Sequence, residues 1–292
     1  MRRLALVFVL STCAVPAAAQ QIFADDFESG NLFRWSASVG EAIVAAEVFR
    51  FEDLDLRDPH LYLEVPLAGC VDFTDEPLPF GLGPSFNDQL ESALTGDADP
   101  ADGVLDASYL LAFRPFLESA TDERLDLQSG SCSAPEPTTA CVPEPGAVPQ
   151  TVAYDGVASG VCLAPVPGTT SGYVPAILSP AAPGFASDER TLLLGLGGVA
   201  LPLAGARVAA SFADAPVDHL ADGLMLGFLR ESDADQILLP ADLPLVGGQP
   251  LSVLLPGGTG NCAAGDDRDL RDGVSGWWFY FAFPARRVPF TE

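Results

Sequence analysis

Glycine and proline punctuate this chain so densely that long helices have little room to form. Its 292 residues include 28 Gly and 26 Pro. Proline interrupts the interior of helices and sheets, glycine weakens both, and together they favour short strands joined by turns. A hydrophobic content of 48% supplies material for a core and argues against disorder.

The apolar runs between these breakers fit that expectation. Residues 41–51 are rich in Val, Ile and Phe, and Leu61-Tyr62-Leu63-Glu64-Val65 alternates at a period of two, so both read as strands. Tyr109 to Leu117 reads as a strand too, and the uncharged run Leu192 to Ala206 as two buried strands breaking at Gly197-Gly198. Near the end, Trp277, Phe279, Phe281 and Phe283 share one strand face and Trp278 and Tyr280 the other, the pattern of a central strand. Two stretches have helical spacing instead. Phe86, Leu90, Ala93 and Leu94 form one face that stops at Thr95-Gly96. Val217, Leu220, Leu224 and Phe228 repeat that spacing after Pro216, with Gly223 and Gly227 suited to close packing on a sheet.

The N-terminus begins with Arg2 and Arg3, continues through apolar Leu4 to Leu10 and reaches Ala17-Ala18-Ala19. This predicts a signal peptide over 1–19, too short to cross a bilayer, which needs about 20 apolar residues. The mature chain is then secreted, periplasmic or in the outer envelope, with no transmembrane span; a lipid anchor on Cys13 is the alternative. Five Cys follow the signal: Cys70, Cys132, Cys141, Cys162 and Cys262. Oxidation is expected there, and an odd count leaves one over. Cys132 and Cys141 flank a short loop and are expected to pair; the connectivity of the other three is open.

Directly after the signal, Phe23-Ala24-Asp25-Asp26-Phe27-Glu28-Ser29-Gly30-Asn31-Leu32-Phe33-Arg34-Trp35 resembles the Phe-x-Asp-x-Phe-Glu-Ser-Gly-x-Leu-x-x-Trp segment of bacterial secreted proteins. There it looks like the opening strand of jelly-roll or laminin-G-like sandwiches. With the strand pattern, it implies a bacterial, mainly β protein: an antiparallel, jelly-roll-like β-sandwich with a few short helices packed on one side. A β-rich part over 20–130 is followed by a Pro-rich, disulfide-closed connector over 131–150. A second β-rich part over 151–292 shares one core with the first.

Charge narrows the partners. All 14 cationic side chains are Arg, against 40 acidic ones. Nucleic acid and anionic lipid need a basic footprint, so neither is expected, whereas multivalent cations are favoured. The acids also form a repeated Asp-x-Asp-x-x-Asp pattern. In the copy at 53–58, Asp53 and Asp55 alternate with Leu54 and Leu56, as on a half-exposed strand. The second copy supplies Asp97, Asp99, Asp102 and Asp106 around Gly103. Calcium prefers six to eight oxygen ligands, and closely spaced Asp with a turn Gly can provide several. This loop resembles EF-hand and dockerin loops, with one residue inserted before Asp102 and Tyr109 where their last acidic ligand stands. Asp267, Asp269 and Asp272 of the third copy are a further calcium candidate, although Arg268 and Arg271 interleave with them.

Catalytic motifs are scarce. His60 and His219 are the two histidines, and neither Gly-x-Ser-x-Gly nor His-Glu-x-x-His occurs. Without Lys, a P-loop is excluded. The expected function is therefore a non-catalytic, calcium-assisted exported module that binds a glycan or another surface ligand, with Trp278 and Tyr280 as a weak sugar-stacking candidate. The rivals are a polysaccharide-degrading hydrolase using a carboxylate pair, which the sequence does not locate, and a structural envelope protein.

Overall fold

A computed structural model describes residues 45–135, 139–241, 243–260, 262 and 265–292. The signal, Cys13 and the segment at 23–35 lie outside the described residues.

The chain opens with β1 (Glu47–Phe51), β2 (Asp55–Asp58) and the hairpin of β3 (Tyr62–Val65) and β4 (Gly69–Asp72), followed by α1 (Phe86–Thr95). After it come β5 (Tyr109–Arg114), β6 (Glu123–Cys132), β7 (Cys141–Pro143), β8 (Gln150–Val157), β9 (Gly184–Ser187), β10 (Arg190–Leu196), β11 (Val199–Ala213) and β12 (His219–Arg230). A single turn, α2 (Glu231–Ala234), leads through a long loop to β13 (Asp269–Arg271) and β14 (Val274–Val288).

The expected sandwich is not what forms. Eight antiparallel strands, in the order β1, β5, β6, β8, β9, β11, β12 and β14, close into a barrel when β14 pairs back onto β1. Neighbours on the barrel follow one another in sequence, so it is an up-and-down meander, with the remaining strands inserted between staves. One inner and one outer residue alternate along a strand in either architecture, so the sequence pattern does not separate them. Closure depends on the length of β14. One edge binds β12 throughout, while the other takes β13 at Val274–Gly276, β2 at Tyr280–Ala282 and β1 at Ala285–Val288. The parts before and after 131–150 thus contribute staves to the same barrel.

Aromatic rings fill the interior. Phe51 stacks on Phe283 with centroids 4.1 Å apart, and Phe113 meets Phe49, Tyr154 and Phe185 edge-on at 4.9–5.6 Å. The buried Tyr154 hydroxyl donates to the Pro115 carbonyl at 2.7 Å, which pairs the one polar atom of that ring.

The helix expected after Pro216 is also corrected: the segment is β12. Its apolar residues at helical spacing are a subset of a run buried on both faces, Met225 and Leu229 towards the interior and Leu224, Leu226 and Phe228 outwards. Its glycines do permit close packing, but of strands. A Cβ at Gly223 would lie 2.2 Å from the Phe283 carbonyl oxygen, beside a register shift that bends the strand pair. Leu192 to Ala206 does break at Gly197-Gly198, yet Thr191, Leu193 and Gly195 face outwards, so β10 is buried on one side only. The helix at 86–95 stands where its spacing places it, capped by Ser85 Oγ, which accepts from the Asp88 N–H at 3.0 Å.

Two disulfides, Cys132–Cys141 and Cys70–Cys262, cross-link the chain, and Cys162 is a buried free thiol. Such bridges persist in an oxidising, extracytoplasmic environment. No described helix is long and apolar enough to cross a membrane.

Candidate functional site: an apolar pocket and a carboxyl pair

Insertions between staves extend the barrel wall at the end marked by Phe279 and Phe281. Leu56 of β2 and Leu201 of β11 continue that wall, α1 contributes Phe86 and Gln89, and the loop after α2 closes over it with Leu243 and Val246. Together they enclose a cavity of about 320 Å³. Among its described lining residues only Gln89 has a polar side chain, and its Nε2 donates to the Pro84 and Ser85 carbonyls. In a chain with 40 acids, this lining leaves a buried charge without a partner and offers apolar surface instead.

The opposite face of β14 and β12 is covered by the chain itself. Cys162, Leu163, Val166 and Ile177, on a strap between β8 and β9, pack over Leu224, Leu226, Phe228, Trp278 and Tyr280. The Tyr280 hydroxyl accepts from the Val166 N–H at 3.1 Å and bonds Thr169 Oγ1. Trp278 is 9% exposed and Tyr280 fully buried, so neither ring presents an open face to a sugar. Arg271 lies over the Trp278 ring, 5.5 Å from its centroid.

Beyond Tyr280 the strap crosses a polar cluster. Asp58, at the end of β2, is 2% exposed and accepts from the Ser171 N–H at 2.8 Å. Its carboxyl neighbours that of Asp267, which binds Ser171 Oγ. Burial, together with the charges of Asp267 and Asp269, pushes Asp58 up to about 7, against the pull of the Ser171 N–H. Burial raises Asp267 and Asp269 too. One proton on Asp58 relieves the repulsion. Alongside, His60 stacks on Tyr173 at 3.6 Å and approaches Asp72 Oδ2 through Nδ1 at 2.5 Å. Burial works to raise Asp72, but its bonds with His60 and Thr74 outweigh this and hold it low. A crevice of about 150 Å³, lined by Asp58, Arg57, Thr170 and Tyr173 among others, reaches this cluster. Chemically it offers a carboxylic acid that still carries its proton near neutral pH.

The acidic motifs fall in three different settings. Leu54 and Leu56 of the first are buried as its alternation requires, but its last residue, Asp58, turns into the cluster and meets Asp267, the first of the third. Asp269 lies close enough to raise Asp58, whereas Asp272 points away into solvent. Asp272-Gly273, with φ of 53° and 79°, is the two-residue turn joining β13 to β14, which accounts for that Asp-Gly pair without an ion. The interleaved arginines pair mainly outside the motif, Arg268 with Asp266 and Glu231 and Arg271 with Glu189, while Arg271 Nε also lies 3.9 Å from Asp272.

In the second motif three carboxylates brace the loop. Asp99, Asp102 and Asp106 accept from the N–H groups of Ala101, Val104 and Ala98. Asp97 Oδ1 is buried without a donor, and desolvation with the charges of Asp102, Asp106 and Asp99 raises its pKa. The oxygen set suits a hard cation, although among the described residues no three ligands converge on one point.

Sequence reasoning missed both the pocket and the carboxyl pair. The pocket's signal was the absence of charge from residues 77–84 and the sparse charge of 236–253; the pair, made by long-range pairing, had none. Comparison of the chain with protein-family models, curated proteins and solved structures finds no match.

Proposed function

We propose that this protein is an exported bacterial binding module whose barrel-end pocket takes a small apolar molecule. The observation that carries the reading is the cavity of about 320 Å³ with no charged residue among its described lining, in a chain with 40 acids. Eight-stranded barrels are just wide enough to be filled by side chains or to hold one small ligand, and here rings fill the body while the capped end keeps a cavity. The exported location, whether secreted, periplasmic or in the envelope, rests on the signal pattern and the two disulfides. The test uses a neutral fluorescent probe, N-phenyl-1-naphthylamine. Saturable emission enhancement is expected, and Val199→Trp, a substitution at a half-buried lining position, should abolish it without lowering the melting temperature. Absence of saturable binding, or equal binding by the filled variant, would reject the reading.

A second reading follows from Asp58: a protonated carboxylic acid beside a crevice is the equipment of a general acid, although the hydrolase alternative needs its second carboxylate about 5–10 Å away, farther than Asp267 stands. Turnover of a glycoside panel that disappears in Asp58→Asn would favour it over binding. Calcium at 97–106 is a separate proposal, supported by the unpartnered oxygen of Asp97.

A further inference from the structure

The mouth of the pocket is edged by two loops that carry bulky apolar side chains into solvent. Phe80, flanked by the lining residues Leu78 and Leu82, is 73% exposed; Leu245, between the lining residues Pro244 and Val246, is 46% exposed, and Leu238 beside Leu239 is 61% exposed. Both Phe80 (φ 61°) and Leu245 (φ 68°) occupy the left-handed region, where a bulky L residue is strained. Neither conformation comes from slack chain. Leu78 and Gly83 pair across the first loop, with the Leu78 N–H donating to Gly83 at 3.0 Å. In the second, the Val246 N–H donates to the Pro244 carbonyl at 2.8 Å, a three-residue turn that fixes Leu245 at its apex, and the Gly247 and Gly248 N–H groups bond Leu243 and Leu239. The backbone therefore holds two apolar tips outwards at the entrance to an apolar cavity.

Charge distribution identifies what the tips meet. Residues 77–84 contain no charged residue, and Asp242 is the one charged residue from Gln236 to Val253, although the chain carries 40 acids. A strongly acidic protein is repelled by anionic lipid, while an apolar rim of low charge partitions into an uncharged or zwitterionic interface. An apolar guest is itself concentrated in lipid rather than in water. We infer that the rim carrying Phe80, Leu82, Leu238 and Leu245 docks on a zwitterionic lipid surface, from which the pocket collects or to which it delivers its guest. The inference rests on the apolar-pocket reading of function.

Sedimentation of the full chain with phosphatidylcholine vesicles tests it. Asparagine tolerates left-handed backbone, so the double variant Phe80→Asn/Leu245→Asn should fold at least as well as the parent and bind N-phenyl-1-naphthylamine unchanged. Its vesicle affinity should fall by roughly tenfold or more for each apolar tip removed. Vesicles rich in phosphatidylglycerol should bind the parent more weakly than phosphatidylcholine at low salt. Probe binding without vesicle binding overturns the docking inference alone; failure of the probe to bind overturns the pocket reading beneath it. Equal vesicle binding by the variant, or a dimer of the parent that the variant abolishes, assigns the rim to something other than lipid and overturns the proposal.

Discussion

Asp58 and Asp267 meet on one residue of the strap, Ser171, although one closes the first acidic motif and the other opens the third. Burial, with the charge of Asp267 adding to it, disfavours the ionised form of Asp58 and raises its pKa. The Ser171 N–H on Asp58 and the Ser171 hydroxyl on Asp267 tie the strap to both carboxyls. Fold and titration are coupled at this point.

Stability should consequently fall between mildly acidic and neutral pH. Asp58 rises from 3.8 to about 7 on folding, mainly through burial, with the charges of Asp267 and Asp269 adding to it. A raised acid stabilises the fold fully below its unfolded pKa, and that contribution is lost as pH climbs through the folded value. Urea denaturation should show this loss from about pH 4 to pH 7. Asp58→Asn keeps an acceptor for Ser171 and offers Asp267 a permanent donor. It should flatten that part of the profile and be the more stable protein at pH 8, by on the order of 2 kcal/mol. A parent profile that rises across the window contradicts a raised pKa at Asp58.

The local elements were legible in sequence because their causes are local. Ser85 and Gly96 bracket α1, Val and Phe content marks β1 and alternation β3, and the short loop between Cys132 and Cys141 brings that pair together. Closure was not legible, since inner and outer residues alternate alike in a barrel and a sandwich. β12 was misread because burial on both faces supplies apolar residues at every period, including 3.6. Asp58 looked like one more acid on an alternating strand; its partner is set by the packing of the strap and of the segment before β13, which no window of sequence contains.

Close strand packing gives a matched pair of substitutions. Gly223→Ala would drive a Cβ to 2.2 Å from the Phe283 carbonyl oxygen and 2.6 Å from its ring, both in the crowded β12–β14 seam. A loss of about 1–3 kcal/mol is expected from such overpacking. Gly195→Ala meets nothing within 4 Å on the exposed side of β10, so it should lie within about 0.5 kcal/mol of the parent or gain slightly from a stiffer unfolded chain. Equal urea midpoints for the two variants would contradict the described register.

Calcium should raise the melting temperature if the loop at 97–106 takes it. Binding would give Asp97 Oδ1 a partner and draw Asp99, Asp102 and Asp106 towards the ion from the N–H groups that they now accept. At a hundredfold excess over Kd the gain is about 2.7 kcal/mol. Chelator should reverse it and Asp97→Asn should abolish it, whereas Asp272→Asn, at the exposed hairpin turn, should leave it unchanged. Identical melting with calcium and with chelator would remove calcium from the description of this protein.

The two disulfides should contribute unequally. Cys70 and Cys262 lie 192 residues apart in sequence, Cys132 and Cys141 only 9. If the bridges act chiefly by restricting the unfolded chain, the long loop contributes about 5 kcal/mol and the short one about 3. The longer bridge also joins the β3–β4 hairpin to the chain that carries Asp267. Its loss should therefore loosen the carboxyl cluster as well as the global fold. Replacing Cys70 and Cys262 by Ala should lower the urea midpoint more than replacing Cys132 and Cys141, and hydrogen exchange at the Ser171 N–H should accelerate below the unfolding transition only in the first variant. If the short-bridge variant is the less stable, native-state packing around β6 and β7 outweighs chain entropy in holding this barrel together.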